Sequence, residues 1–293
     1  MSDDKEGLET RILNWLKTQG YPLEMWVADK LEASGFSVTM TDYYKDPKTN
    51  DLREIDVTGM SYAEISGRES PINVCVRIEC KSSKDKPWVV FMRDGATTFS
   101  EWPIEPPFVP CSKAYQDLWL TVSLYPRRYS AVRNLPIDLQ LPVPLKVGHS
   151  MIQVKFTSEN NTDVAYKAIT SAVNASIAHV KEAEQQVEKG SGIRLLWVTF
   201  PAIVIDGQLF ECIQHEGDQL ELREVNYTCL QWKGVAQEET SPAVVLHVCT
   251  REGFADFLAH MAKARLALGH IFVSAERLLA RLPKRRRFRL RQY

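Results

Sequence analysis

Residues 73–83, NVCVRIECKSS, alternate between apolar and polar side chains along almost their whole length. Successive side chains of a β-strand point to opposite sides of the sheet, so this pattern predicts a strand with one apolar face. The apolar face consists of Val74, Val76, Ile78 and Cys80. The polar face consists of Arg77, Glu79 and Lys81. The stretch 52–60, LREIDVTGM, alternates in the same way, and its polar face consists of Glu54, Asp56 and Thr58.

The rest of the chain mixes helical and strand-like patterns. The further predicted elements are a helix at 7–20, a helix at 21–34, a strand at 36–44, a long helix at 161–190, a buried strand at 193–200, a hairpin at 202–213 around Asp206-Gly207, a strand at 243–250 and two helices after it. Helices that alternate with strands favour an α/β fold, in which a mixed central β-sheet is flanked by helices.

The chain of 293 residues is predicted to form one domain, 1–293. Its core motifs lie at 20–90, and its core continues over 151–280. Eight of the fifteen prolines fall within 101–150, and proline removes a backbone donor, so this region is predicted to be a mostly irregular, proline-rich insertion. Residues 281–293 form a basic tail with seven Lys and Arg residues.

Composition narrows the classes of function. The formal net charge is −1, so a site for a polyanion must be a local patch. No apolar run approaches the ~18 residues of a membrane span, and the acidic start lacks the apolar core of a signal peptide. The six cysteines form no CxxC pair and are expected to be buried free thiols. Together these features predict a cytoplasmic protein without a membrane partner.

The candidate site consists of Asp56, Glu79 and Lys81. Residues i and i+2 of a strand share a face, so Glu79 and Lys81 stand side by side. If the two alternating strands pair, Asp56 joins them at one edge of the sheet. The acid-x-Lys pattern occurs three times, but Asp3-Asp4-Lys5 lies in a polar terminus and Asp46-Pro47-Lys48 in a turn. Carboxylates with a nearby lysine suit an Mg²⁺ ion that activates water for phosphodiester hydrolysis.

The motifs REIDV and IECKSS resemble those of the restriction-endonuclease-like superfamily, the PD-(D/E)xK nucleases. This resemblance covers residues 20–90 and implies a restriction-endonuclease-like fold and a metal-dependent endonuclease. It implies that Asp56 and Glu79 hold Mg²⁺ or Mn²⁺ together with the carbonyl of Cys80, and that Lys81 positions and activates water. The family's helix acid matches Glu24. Ile55 replaces the proline of the motif, and Glu79 follows Asp56 by 23 positions.

The resemblance further implies a nucleic-acid substrate, DNA rather than RNA, and a role as a defence or mobile-element effector. Dimerisation and activation by a partner protein are both compatible with the family. The candidate nucleic-acid contacts are Lys84, Lys86, Arg127, Arg128 and Arg133. Each of these side chains has the alternative of being an ordinary solvated surface residue.

Other readings of the site stay open at this stage. Glu79 and Lys81 would form a surface salt bridge if the strand simply ended in water. Glu24 could lie in the first turn of a helix without any catalytic role, because the helix dipole favours an acid there. Arg77 is expected to pair with Glu54. A catalytically inactive subunit of the same fold, which binds nucleic acid or a partner protein, is the alternative to an enzyme.

Overall fold

The computed structural model describes residues 3–16, 19–65, 68–83, 86–93, 109–116, 147–155, 163–188, 196–215, 219–232 and 244–281. Within these ranges the helices are α1 (Asp3–Leu16), α2 (Tyr21–Ala33), α3 (Asp163–Glu188) and α4 (Phe254–Arg281). The strands are β1 (Ser37–Lys45), β2 (Leu52–Ile65), β3 (Arg68–Ser82), β4 (Trp88–Arg93), β5 (Ser150–Gln153), β6 (Leu196–Asp206), β7 (Leu209–Gln214), β8 (Leu220–Glu224), β9 (Tyr227–Trp232) and β10 (Val244–Thr250).

The larger sheet has six strands in the order β1-β2-β3-β6-β10-β9. Strands β1, β2 and β3 pair antiparallel, β3, β6 and β10 pair parallel, and β9 joins β10 antiparallel. This mixed sheet lies between helices, which confirms the predicted class of a mixed central sheet in an α/β protein. A second sheet has four strands in the order β5-β4-β7-β8.

Helices cover both faces of the six-stranded sheet. On one face, the apolar side chains of α2 and α4 pack on the alternating apolar residues of β2, β3 and β6. On the other face, the alanine-rich stripe of α3 packs on β6, β10 and strands of the second sheet. Strand β6 is buried along most of its length, as its continuous apolar run predicts. The charged side chains of β3 therefore lie under α3 and not on an open face.

Two predicted elements are wrong. Asp206-Gly207 does not close a hairpin, because β6 pairs with β3 and β10 while β7 pairs with β4 and β8 in the other sheet. A Cβ at Gly207 would lie 2.5 Å from the carbonyl oxygen of Ser83, so the glycine serves a close backbone approach where the chain passes between sheets. The two helices predicted after β10 are the single helix α4.

The predicted insertion, 101–150, is described at 109–116 and 147–150, and both segments contact the larger sheet. Cys111 bridges Val198 of β6, and Gly148 bridges Leu230 of β9. The rest of the insertion and residues 282–293 of the basic tail lie outside the described residues. The one-domain organisation stays a prediction.

All six cysteines are buried free thiols, as expected. No helix in the described part of the chain is long and apolar enough to cross a membrane.

Candidate active site

The candidate site depends on the pairing of β2 with β3, and this pairing is present. The antiparallel register sets Val57 opposite Ile78. The next position along each strand is Asp56 and Glu79, so the two acids lie side by side where the ladder ends. Oδ2 of Asp56 accepts a hydrogen bond from the backbone N–H of Cys80 at 2.6 Å. The carboxylate of Asp56 therefore extends the ladder and is fixed against β3.

Glu79 is held through both of its carboxylate oxygens. Oε1 lies 2.5 Å from Nζ of Lys81, and Oε2 accepts a hydrogen bond of 2.7 Å from the hydroxyl of Ser171 on α3. Glu79 is only 8% exposed. The Glu79–Lys81 pair is therefore a largely buried contact beneath a helix, and the reading as a solvated salt bridge at a strand end is wrong.

Asp56 has an unusual charge environment. Burial, reinforced by the negative charges of Glu79 and Glu24, raises the pKa of Asp56 from 3.8 to about 7. The N–H of Cys80 and the ammonium of Lys81 oppose this rise but do not cancel it. A carboxyl with such a pKa exchanges its proton near neutral pH, which is a property common to reactive acids.

Glu24 belongs to the same cluster. It lies in the first turn of α2 and its side chain is buried. Burial raises the pKa of Glu24, with Glu54 and Glu79 adding to the rise and Lys81 opposing it. Oε1 of Glu24 also lies close to Gly20 at the start of α2, so a contribution of Glu24 to the helix start and membership of the acid cluster are both compatible with its position.

Lys81 keeps its positive charge in these surroundings. Burial works to lower the pKa of Lys81, but the attraction and hydrogen bond of Glu79 and the nearby charge of Asp56 outweigh burial and raise it. An ammonium with a raised pKa remains protonated at neutral pH. Lys81 can therefore donate hydrogen bonds and offset negative charge, and it is poorly suited to accept a proton.

The donor set fits a hard divalent cation in kind, because carboxylate and carbonyl oxygens are the ligands that Mg²⁺ and Mn²⁺ prefer. A cation among Glu24, Asp56 and Glu79 would relieve the repulsion that raises the pKa of Asp56. The three carboxylates are, however, not gathered around one point: in the described part of the chain no three His, Cys, Asp or Glu side chains form a metal-binding group.

Sequence reasoning missed the contribution of α3. Lys167, Thr170, Ser171 and Asn174 repeat at intervals of three and four residues, which places them on one side of the helix. The hydroxyl of Ser171 donates to Glu79, so α3 contacts the acid cluster directly. Polar residues at helical spacing within an alanine-rich helix are the sequence pattern from which this contribution of α3 could have been predicted.

A cavity of about 330 Å³ lies between α3 and the strand segments that carry Tyr44, Glu54 and Glu79. Its lining residues are Tyr44, Asp46, Arg53, Glu54, Glu79, Lys167, Thr170, Ser171 and Asn174. Glu79 is therefore shared by the cavity and by the cluster of acids around Lys81.

Arg77 is placed differently from the prediction, which paired it with Glu54. Its guanidinium lies 2.6 Å from Oδ2 of Asp42, 2.8 Å from the hydroxyl of Thr58 and 2.8 Å from Nδ1 of His179. Burial and the charge of Arg77 lower the pKa of His179 to about 4, so this histidine is neutral at neutral pH. Arg77 is 4% exposed and anchors β3 beneath α3.

Of the candidate nucleic-acid contacts, the structure describes Lys86, which is exposed in the turn before β4. Lys84, Arg127, Arg128 and Arg133 lie outside the described residues.

No family model, no curated protein and no solved structure matches this chain.

Proposed function

We propose that this protein is a metal-dependent nuclease that hydrolyses phosphodiester bonds of nucleic acid, DNA rather than RNA, on a restriction-endonuclease-like scaffold. The observation that carries the proposal is the meeting of Asp56, Glu79 and Lys81 at the end of two paired central strands. A buried acid pair with an ammonium is costly to hold in a fold and is well suited to charged chemistry.

The roles follow from the contacts of each side chain. Asp56 and Glu79, with the carbonyl of Cys80 and the carboxylate of Glu24, would hold Mg²⁺ or Mn²⁺. The ion supplies a bound water of lowered pKa and offsets charge on the phosphate. Lys81 orients the water and the phosphate as a protonated donor. Ser171 keeps the carboxylate of Glu79 in place through its hydrogen bond at 2.7 Å.

The direct test is cleavage of a panel of single-stranded and duplex DNA and RNA with Mg²⁺ or Mn²⁺. Wild type is compared with Asp56→Ala and Lys81→Ala, and Lys181→Ala on the exposed side of α3 is the control. We expect cleavage by wild type and by the control, and its loss in both site variants. Equal activity in all four proteins would exclude this site as the active centre.

The alternative is a catalytically inactive subunit of the same fold that binds nucleic acid or a partner protein. One observation favours this alternative: both carboxylate oxygens of Glu79 already accept hydrogen bonds, one from Lys81 and one from Ser171. Calorimetric titration with Mg²⁺ separates the two functions. Binding heat in wild type that is lost in Glu79→Gln supports the nuclease, and identical titrations of the two proteins support the inactive subunit.

A homodimer would allow both strands of a duplex to be cut, and a cytoplasmic location would give access to DNA. Both belong to the same proposal and rest on the family resemblance alone.

A further inference from the structure

The described residues that line the cavity beside Glu79 are all of polar or charged types. Hydroxyls come from Tyr44, Thr170 and Ser171, an amide from Asn174, and positive charge from Arg53 and Lys167. Among the described residues, Tyr44 is the one aromatic residue of the lining, and it is only 1% exposed. An occupant therefore finds hydrogen-bond donors and charges of both signs, but no open aromatic ring on which a base could stack.

The lining also contains three acids, Asp46, Glu54 and Glu79, and hydrogen-bond donors hold Asp46 and Glu79 in place. Asp46 accepts hydrogen bonds from the backbone N–H groups of Lys48 and Thr49 and from Asn174, and Glu79 is held by Lys81 and Ser171. Arg53 contacts Asp46 through Nε at 3.0 Å. A guanidinium has five N–H donors, so this contact uses one of the donors that Arg53 offers.

The size of the cavity limits what it can hold. A volume of about 330 Å³ lies at the lower end of the roughly 300–1,000 Å³ that small-molecule sites occupy. That volume is sufficient for one sugar–phosphate unit. Because Glu79 lines both the cavity and the acid cluster, a unit bound here is adjacent to a phosphate at Lys81.

We propose that this cavity binds the sugar–phosphate unit of the nucleotide next to the scissile phosphate, with Lys167 and Arg53 on the phosphate and Thr170 on a sugar or phosphate oxygen. The inference rests on the proposed nuclease function and names its substrate class: a polynucleotide gripped by its backbone without readout of its bases. Phosphate and sugar contacts position a strand and carry no sequence information directly.

The test is calorimetric binding of thymidine 5′-monophosphate, thymidine and the other three deoxynucleoside 5′-monophosphates to the full chain with Mg²⁺. None of these ligands has a phosphodiester bond, so binding is measured apart from cleavage. We expect the monophosphate to bind at least about tenfold more tightly than thymidine, since charge-assisted contacts exceed neutral ones. The four monophosphates should agree within about threefold, because the base is not contacted.

Lys167→Gln should weaken binding of thymidine 5′-monophosphate by about tenfold, and Lys181→Gln on the same helix should leave it unchanged. Both lysines are exposed, so neither variant threatens folding. Equal binding of thymidine and its monophosphate, equal affinity of Lys167→Gln and wild type, or a tenfold preference for one base would each overturn the inference.

Asp56→Asn distinguishes this inference from the proposed function. This variant should lose cleavage but retain nucleotide affinity within about threefold, because Asp56 neither lines the cavity nor hydrogen-bonds to a residue that does. Nucleotide binding in a protein that cleaves no substrate would contradict the nuclease but retain the subsite. Cleavage without nucleotide binding would retain the nuclease and remove the subsite.

Discussion

Two acid-x-Lys segments border the same cavity, and their surroundings differ. In Asp46-Pro47-Lys48, which follows β1, one carboxylate oxygen accepts from the N–H groups of Lys48 and Thr49 at 2.9 and 3.2 Å. The other oxygen contacts Asn174 and Arg53 at 3.1 and 3.0 Å. Burial works to raise the pKa of Asp46, but these donors outweigh burial and lower it. Both oxygens of the Asp46 carboxylate are therefore held by donors, and the carboxylate stabilises the turn after β1.

Glu79-Cys80-Lys81 and its neighbour Asp56 show the opposite balance. Asp56 has one backbone donor, from Cys80, and two acids near it, so burial and repulsion raise its pKa to about 7. The same short pattern thus lies in two settings: Asp46 is held by four donors in a turn, whereas beside Glu79 the buried Asp56 has one donor and two acids near it. The donors and charges around each carboxylate, and not the motif, set the direction in which its pKa shifts.

The largest effect should come from removing Lys81, with the corresponding change at Lys48 as the comparison. Lys81→Ala should lower cleavage by about a hundredfold or more, because it removes the charge that faces the phosphate and the attacking water. Lys48→Ala should stay within about threefold of wild type, since Asp46 uses the backbone N–H of Lys48. Single-turnover cleavage rates check both. A loss in Lys48→Ala as large as that in Lys81→Ala would remove the distinction between the segments.

Asp56→Asn should stabilise the fold above neutral pH. The folded pKa of about 7 exceeds the unfolded value of 3.8, so the folded state binds more protons between these values and stability falls as the pH rises through this window. The amide can still accept the hydrogen bond from Cys80 but carries no charge. We expect a gain of about 1–3 kcal/mol at about pH 8 by urea denaturation, and no gain below about pH 4.

Equal or lower stability of Asp56→Asn across the whole pH range would show that Asp56 is an ordinary paired acid. Loss of cleavage together with the gain in stability would show that the charge is retained for chemistry at a cost to the fold.

Asp46→Asn should have the opposite sign. The folded pKa lies below 3.8, so the ionised carboxylate contributes stability that is present above the unfolded pKa and is lost as the pH falls through the folded value. The substitution weakens charge-assisted hydrogen bonds and should cost about 1–3 kcal/mol at neutral pH. Urea denaturation at neutral pH and near pH 3 measures it, and a loss that persists unchanged at the lower pH would contradict the assignment to charge.

The smallest effect should come from Ser171→Ala. It removes one of the two contacts that hold Glu79, and we expect Mg²⁺ affinity to fall by about threefold to tenfold. The thermal midpoint should stay within a few degrees, since Ser171 is not in the apolar core. Ser171→Thr, which retains the hydroxyl, should restore the affinity. Failure of that rescue would mean that Ser171 does not position Glu79.

Much of the site could be predicted from local pattern. Alternation in 52–60 and 73–83 identified two strands with one apolar face each, and it grouped Glu79 with Lys81. The helix at 163–188 followed from its spacing of small apolar residues. Arg77 was assigned to the wrong acid, because the sequence shows its face but not that Asp42 of β1 lies across that face.

The sequence by itself determined which side chains share a face of each strand and helix, since that periodicity is set by backbone geometry within a few residues. Only the tertiary structure decided that β6 and β7 enter different sheets, that Ser171 reaches Glu79 across 92 residues of sequence, and that a cavity forms beside them. The pKa of Asp56 belongs to this second group. Burial and neighbouring charge act through space, and the residues that supply them are brought together only when the sheet and α3 have packed.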